Sequence, residues 1–134
     1  MKRAILVTFI MLLLPSFANA AWWNDDWSYR KKLTIDTLPT GANVMGALTE
    51  FPVLVRLHSA NFKYFLDVKP DASDMRFMAA DDKTPLKFHI EKFDPLNEIA
   101  LIWVKIPLLA ANSNTNYIWL YYGNASAVAA QDAA

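Results

Sequence analysis

The chain has 134 residues, with 13 basic and 13 acidic side chains and no cysteine, which excludes disulfide bridges, a thiolate metal site and a thiol nucleophile. Setting aside Lys2 and Arg3 leaves 11 basic residues against 13 acidic ones, a formal charge of −2 without the basic excess that nucleic acid or anionic lipid would attract. A domain of this size has to stand on apolar packing alone.

Residues 1–20 read as a secretory signal. Lys2 and Arg3 form a basic start, Ala4 to Leu14 is mainly apolar, Pro15 breaks the helix, and Ala18-Asn19-Ala20 supplies the small-x-small pattern of a cleavage site between Ala20 and Ala21. An apolar helix of about 11 residues reaches only about 16 Å, roughly half of a bilayer core. The mature chain is therefore expected to lack a transmembrane segment and to work outside the cytoplasm, in the periplasm or at the cell surface.

Beyond the signal, the apolar period is two, which predicts strands. Tyr29 to Asp36 sets Lys31, Leu33 and Ile35 against Arg30, Lys32 and Thr34. Residues 37–50, with Pro39, Gly41 and Gly46, form a loop longer than a tight hairpin. Phe51 to Leu57 alternates again: Phe51, Val53, Val55 and Leu57 face one way, and Pro52, Leu54 and Arg56 the other. Pro52 cannot donate a ladder bond and suits a strand start or an edge. Asn61 to Val68 predicts one short helix capped by Asn61, with Phe62, Phe65 and Leu66 on one side and Pro70 beyond it.

Met75 to Ala79 and Pro85 to Phe93 are the next strands, separated by the turn at Asp81-Asp82-Lys83. In the second of them Leu86, Phe88 and Ile90 share one side, and His89, Glu91 and Phe93 the other. After the turn Asp94-Pro95-Leu96-Asn97, the strands Ile99 to Ile106 and Tyr117 to Tyr122 carry the strongest pattern. Six strands and one short helix predict an all-β antiparallel sandwich of jelly-roll type over residues 21–124. Residues 125–134 are small and patternless, as in a linker or a truncated tail.

The last two strands are apolar on both sides. Ile102, Val104 and Ile106 oppose Leu101, Trp103 and Lys105, while Ile118, Leu120 and Tyr122 oppose Tyr117, Trp119 and Tyr121. A sheet with one wet face shows polar residues there. The rings therefore either form a stacking platform or lie under a cover, namely the N-terminal segment, the 37–50 loop or a following domain. On the platform reading, Trp103, Trp119, Tyr117 and Tyr121 stack against a glycan or a partner protein, with Arg76, His89 and Glu91 as polar neighbours. Trp27, opening a strand, is expected in the core.

A glycan-cleaving enzyme requires two carboxylates about 5–9 Å apart, and the neighbouring strand Pro85 to Phe93 offers Glu91 without a clear partner. No catalytic residue and no cofactor is expected. Asp25, Asp26, Asp71, Asp74, Asp81 and Asp82 are loop residues of the kind that holds a structural calcium, although their spacing matches no EF-hand and aspartate is ordinary in turns. The alternative to a binding role is a structural spacer or assembly domain with the aromatic side permanently packed.

Several segments taken together, Trp27 to Ile35, Phe51 to Leu57, Asp74 to Phe77, Pro85-Leu86 with Ile90-Glu91, Ile102 to Pro107 and Ile118 to Asn124, resemble the bacterial domain of unknown function DUF2341. The resemblance implies an exported N-terminal module that stands ahead of laminin-G or concanavalin-like domains, of MotA/TolQ/ExbB-type proton-channel modules, or of both. It thereby implies association with inner-membrane channel proteins, and it brings no catalytic residues. Asp82-Lys83 stands where the family usually has Asp-Gly.

Overall fold

A computed structural model describes residues 22–132 of the chain. The signal segment and its Ala20–Ala21 junction lie outside the described residues. Six strands follow in order: β1 (Tyr29–Ile35), β2 (Leu48–His58), β3 (Arg76–Met78), β4 (Phe88–Asp94), β5 (Ile99–Leu109) and β6 (Asn116–Tyr122). They form two antiparallel three-stranded sheets, β1-β6-β3 and β2-β5-β4. The all-β class follows from the period-two pattern, and each strand turns its aliphatic side into one shared core.

That core joins Leu57, Phe88, Ala100, Ile102, Val104 and Ile106 of one sheet to Phe77, Ile118, Leu120 and Tyr122 of the other. Phe62, Phe65 and Met75, fully buried, fill its end. The predicted helix shrinks to a single 3-10 turn, Phe65–Asp67, with no side-chain cap. Asn61 serves the preceding turn instead: its Oδ1 accepts the His58 N–H at 2.8 Å and its Nδ2 donates to the Arg56 carbonyl.

Two prolines show how the ladder tolerates a missing donor. The Lys105 N–H is directed to the Lys87 carbonyl on the β4 side at 2.9 Å. Its pairing with Pro52 on edge strand β2 therefore requires no donor from Pro52. Pro107, two residues on, faces the same side as Lys105, beyond the point where β4 has begun, so β5 runs past the predicted stop at Ile106 to Leu109.

A second apolar cluster covers the outer side of the β1-β6-β3 sheet. Trp27 and Ala127 pack with Met78 and Tyr121, and Trp22, Trp23 and Trp119 join them half-buried. Trp27 is buried as expected, and its Nε1 donates to the Asp74 carbonyl at 2.6 Å. The fully buried Asp74 carboxylate accepts backbone N–H groups from Lys69, Gly123 and Asn124, pinning the exit of β6.

Residues 125–132, read from the sequence as a linker, are laid along the body. Arg76 and Lys69 donate to the carbonyls of Val128 and Ala127. The Asp132 N–H donates to the Phe88 carbonyl, while Asp132 Oδ2 and Gln131 Oε1 accept the N–H groups of Phe88 and Ile90 along the β4 edge.

Candidate functional site

The sheet assignment divides the seven ring and polar residues singled out from the sequence. β5 and β6 lie in different sheets, so Trp103 and Trp119 project from opposite sides of the sandwich. Trp103, His89 and Glu91 stand on the outer face of β2-β5-β4. Trp119, Tyr117, Tyr121 and Arg76 stand on the outer face of β1-β6-β3, with the core between the two groups.

The β1-β6-β3 face is packed. Tyr121 is fully buried; its hydroxyl donates to Asp82 Oδ1 at 2.7 Å and accepts the Trp23 N–H at 2.9 Å. Burial, followed by that bond to Asp82, raises its phenol above the ordinary value. Arg30 forms an ion pair with Asp82 and lies between two indoles, 4.3 Å from the Trp119 ring centre and 5.1 Å from that of Trp22. Arg76 donates to the carbonyls of Ser73, Met75 and Val128 and sits over Trp27; burial lowers its pKa against the opposing pull of Asp74. Tyr117 lies under the Lys32 ammonium at 4.1 Å and donates to the Ala80 carbonyl. Of the covers weighed from the sequence, it is the N-terminal segment that occupies this face.

The opposite face is open. Trp103 keeps 40% of its surface exposed. Its Nε1 donates to Glu91 Oε2 at 2.8 Å, which fixes the ring in one orientation. Leu54 on β2 and His89 on β4 flank it as direct cross-strand partners. Pro52, Lys87 and Lys105 adjoin, with Asp132 at the rim, around a shallow groove of about 660 Å³. His89 Nδ1 is buried without a hydrogen-bond partner.

Glu91 reaches the indole through a bulge. The pairing runs Ile90 to Ile102 and then Lys92 to Leu101, leaving Glu91 as the extra residue. Glu91 and Lys92 are therefore both exposed, and Phe93 turns inward to pack on Phe65 at 5.9 Å. Simple alternation had placed Phe93 with His89 and Glu91, and the inserted residue reverses its direction. Sequence reasoning also assigned Pro52, Leu54 and Arg56 to one side of their strand without any signal that this side adjoins Trp103, because a two-residue period does not name the neighbouring strand.

The loop aspartates do turn work. Asp71, Asp81 and Asp94 accept N–H groups from residues two and three positions on, and the side chains of Ser73, Thr84 and Asn97 first, with those backbone bonds second, hold the three carboxyls below the ordinary value. Among the described residues, no group of three or more His, Cys, Asp or Glu is placed to hold a metal ion. Also among the described residues, no helix is long and apolar enough to cross a membrane.

Residues 71–134 match the family model of a domain of unknown function, DUF2341. The match bears out the resemblance over this stretch, which carries β3 to β6 and all seven residues named above. Neither the curated proteins nor the solved structures contain a match.

Proposed function

We propose, starting from that family match, that this protein is a non-catalytic recognition module that works outside the cytoplasm and binds a glycan on the outer face of β2-β5-β4. One observation carries the reading: Trp103 is exposed on the middle strand of the sheet's outer face, and its indole N–H is held by Glu91. An indole held in one rotamer offers a sugar ring a large apolar plane at little cost in conformational entropy. Pro52 in the groove and exposed Leu54, paired with Trp103, add apolar surface beside the ring, and His89, Lys87 and Lys105 supply polar groups around it. The basic start, apolar run and small-x-small pattern of residues 1–20 support export.

A binding rather than a hydrolytic role is supported by how the carboxylates are used. Glu91 Oε2 accepts the indole N–H, and Asp132 Oδ2 accepts the Phe88 N–H. Each thus has a structural partner, whereas glycoside cleavage requires a facing acid and base.

Titration with soluble polysaccharides while following tryptophan emission tests the reading. The other four indoles are buried or half-buried in the cluster on the far side, so the response belongs to Trp103. Saturable emission changes that vanish in Trp103→Ala are expected. A Trp103→Ala variant that binds as well as the wild type overturns the proposal. So does occupation of this face by a protein partner with no affinity for any sugar.

A further inference from the structure

We infer that the glycan is acidic, with anionic groups on the sugars to either side of the one stacked on Trp103; this rests on the recognition role just proposed. Three cross-strand rows cover the outer face of β2-β5-β4. The middle row is Leu54, Trp103 and His89. On one side of it run Pro52, Lys105 and Lys87, for Phe88 pairs with Val104 and thereby sets Lys87 opposite Lys105. On the other side run Arg56, Leu101 and Lys92. The Trp103 ring is thus bracketed along the strand direction by a pair of cations at each end.

Like charges directly opposite each other on a sheet are unfavourable, and one such pair, Lys87 with Lys105, borders the ring. The acids on the face do little to cancel the four cations. Glu50 meets Lys105 at 2.8 Å with both side chains largely exposed, an arrangement that water and salt screen strongly. Glu91 is directed to the indole and Asp132 to the Phe88 N–H. The chain without Lys2 and Arg3 carries a formal −2, so a cationic grid on this face runs against the average charge of the molecule. Rows two residues apart are about 7 Å apart along a strand, so the two cationic rows are separated by about 14 Å. That length suits a polymer running along the strands, with a stacked sugar in the middle and its charged neighbours over the lysines and Arg56.

The test uses the signal-free chain and four probes: polygalacturonate, heparin, a neutral β-glucan and a single-stranded oligodeoxynucleotide. Polygalacturonate or heparin is expected to shift tryptophan emission at concentrations well below those of the neutral glucan, and the affinity is expected to fall as salt rises. Polygalacturonate bears carboxylates alone, whereas heparin bears sulfates as well, so tighter binding of polygalacturonate shows that the site does not require sulfate. Lys87 and Lys92 are exposed, and the double variant Lys87→Gln, Lys92→Gln is expected to lose about fivefold in affinity for the acidic polymer, as two exposed ion pairs would contribute. Equal affinity for neutral and acidic glycans, or an unchanged affinity in the double variant, removes this inference and leaves the recognition role standing. Oligonucleotide binding as tight as that of the acidic glycan also removes it, since charge alone would then suffice. Silence with every polysaccharide removes both.

Discussion

Replacing Tyr121 by Phe removes one oxygen from the packed side of the sandwich, and the contacts of that oxygen set the size of the effect. The hydroxyl donates to the Asp82 carboxylate at 2.7 Å and accepts the Trp23 N–H at 2.9 Å, with the ring fully buried. A bond to a charged acceptor contributes about 1.5–3 kcal/mol, and an ordinary one about 0.5–1.5 kcal/mol. Asp82 keeps Arg30, and the half-buried Trp23 N–H recovers some hydration, so the loss settles near 3 kcal/mol. For a domain of roughly 110 residues that is a fall of about 13 °C in Tm. Urea unfolding followed by circular dichroism and by tryptophan emission measures it, with the slope m unchanged. Tyr117→Phe is the control, because its exposed hydroxyl makes one long bond of 3.3 Å to Ala80; it is expected to change stability by less than about 0.5 kcal/mol. Binding at Trp103, on the far side of the core, is expected to survive both changes. A Tyr121→Phe loss as small as that of the control refutes the claim that the N-terminal segment is fastened through this hydroxyl.

Further outcomes are expected from single substitutions and from an activity assay. Gly123 has a φ of 85°, and a Cβ there would stand 2.5 Å from Tyr29 Cδ2, so Gly123→Ala is expected to destabilise by about 1–3 kcal/mol. Gly46→Ala meets nothing within 4 Å and is expected to be neutral or to stabilise by up to about 1 kcal/mol; thermal melts that move both variants in the same direction contradict this. Burial, helped by the charges of Tyr64, Asp67 and Tyr29, pushes the Tyr122 phenol up to about 12 from the ordinary 10.0. The fold holds the neutral form, so this contribution is complete below pH 10 and is lost as the pH rises toward 12; between pH 8 and pH 11 the urea midpoint is expected to fall less for Tyr122→Phe than for the wild type, and equal falls refute it. Glu91→Gln retains an acceptor for the Trp103 indole and is expected to bind polysaccharide within about twofold of the wild type, whereas Glu91→Ala frees the ring and weakens binding by more. A reducing-sugar assay is expected to detect no cleavage by the wild type, and cleavage abolished by Glu91→Gln would make the protein an enzyme.

Much of the fold was legible because it depends on local alternation. Ile102, Val104 and Ile106 opposite Leu101, Trp103 and Lys105 can be read without coordinates, and those three aliphatic side chains are indeed buried. The failures occur where one residue alters a period. Glu91, inserted as a bulge, turns Phe93 into the core, and no propensity marks the insertion beforehand. The helix expected at 61–68 contracts to one turn because Asn61 bonds to the strand end behind it rather than to a helix ahead.

By itself the sequence determined that the domain is made of strands, which side of most of them is aliphatic, and that the last two strands carry rings on their other sides. Only the tertiary structure decided that those two strands belong to different sheets. It thereby buried Tyr121 beneath Trp22, Trp23 and Trp27, and left Trp103 in the open among Leu54, His89 and four cations. The physical reason is that side-chain alternation is a property of a single strand, whereas sheet membership is a pairing between segments far apart in the chain. Two strands with the same pattern can therefore present their rings in opposite directions, one set into a packed layer and the other toward solvent.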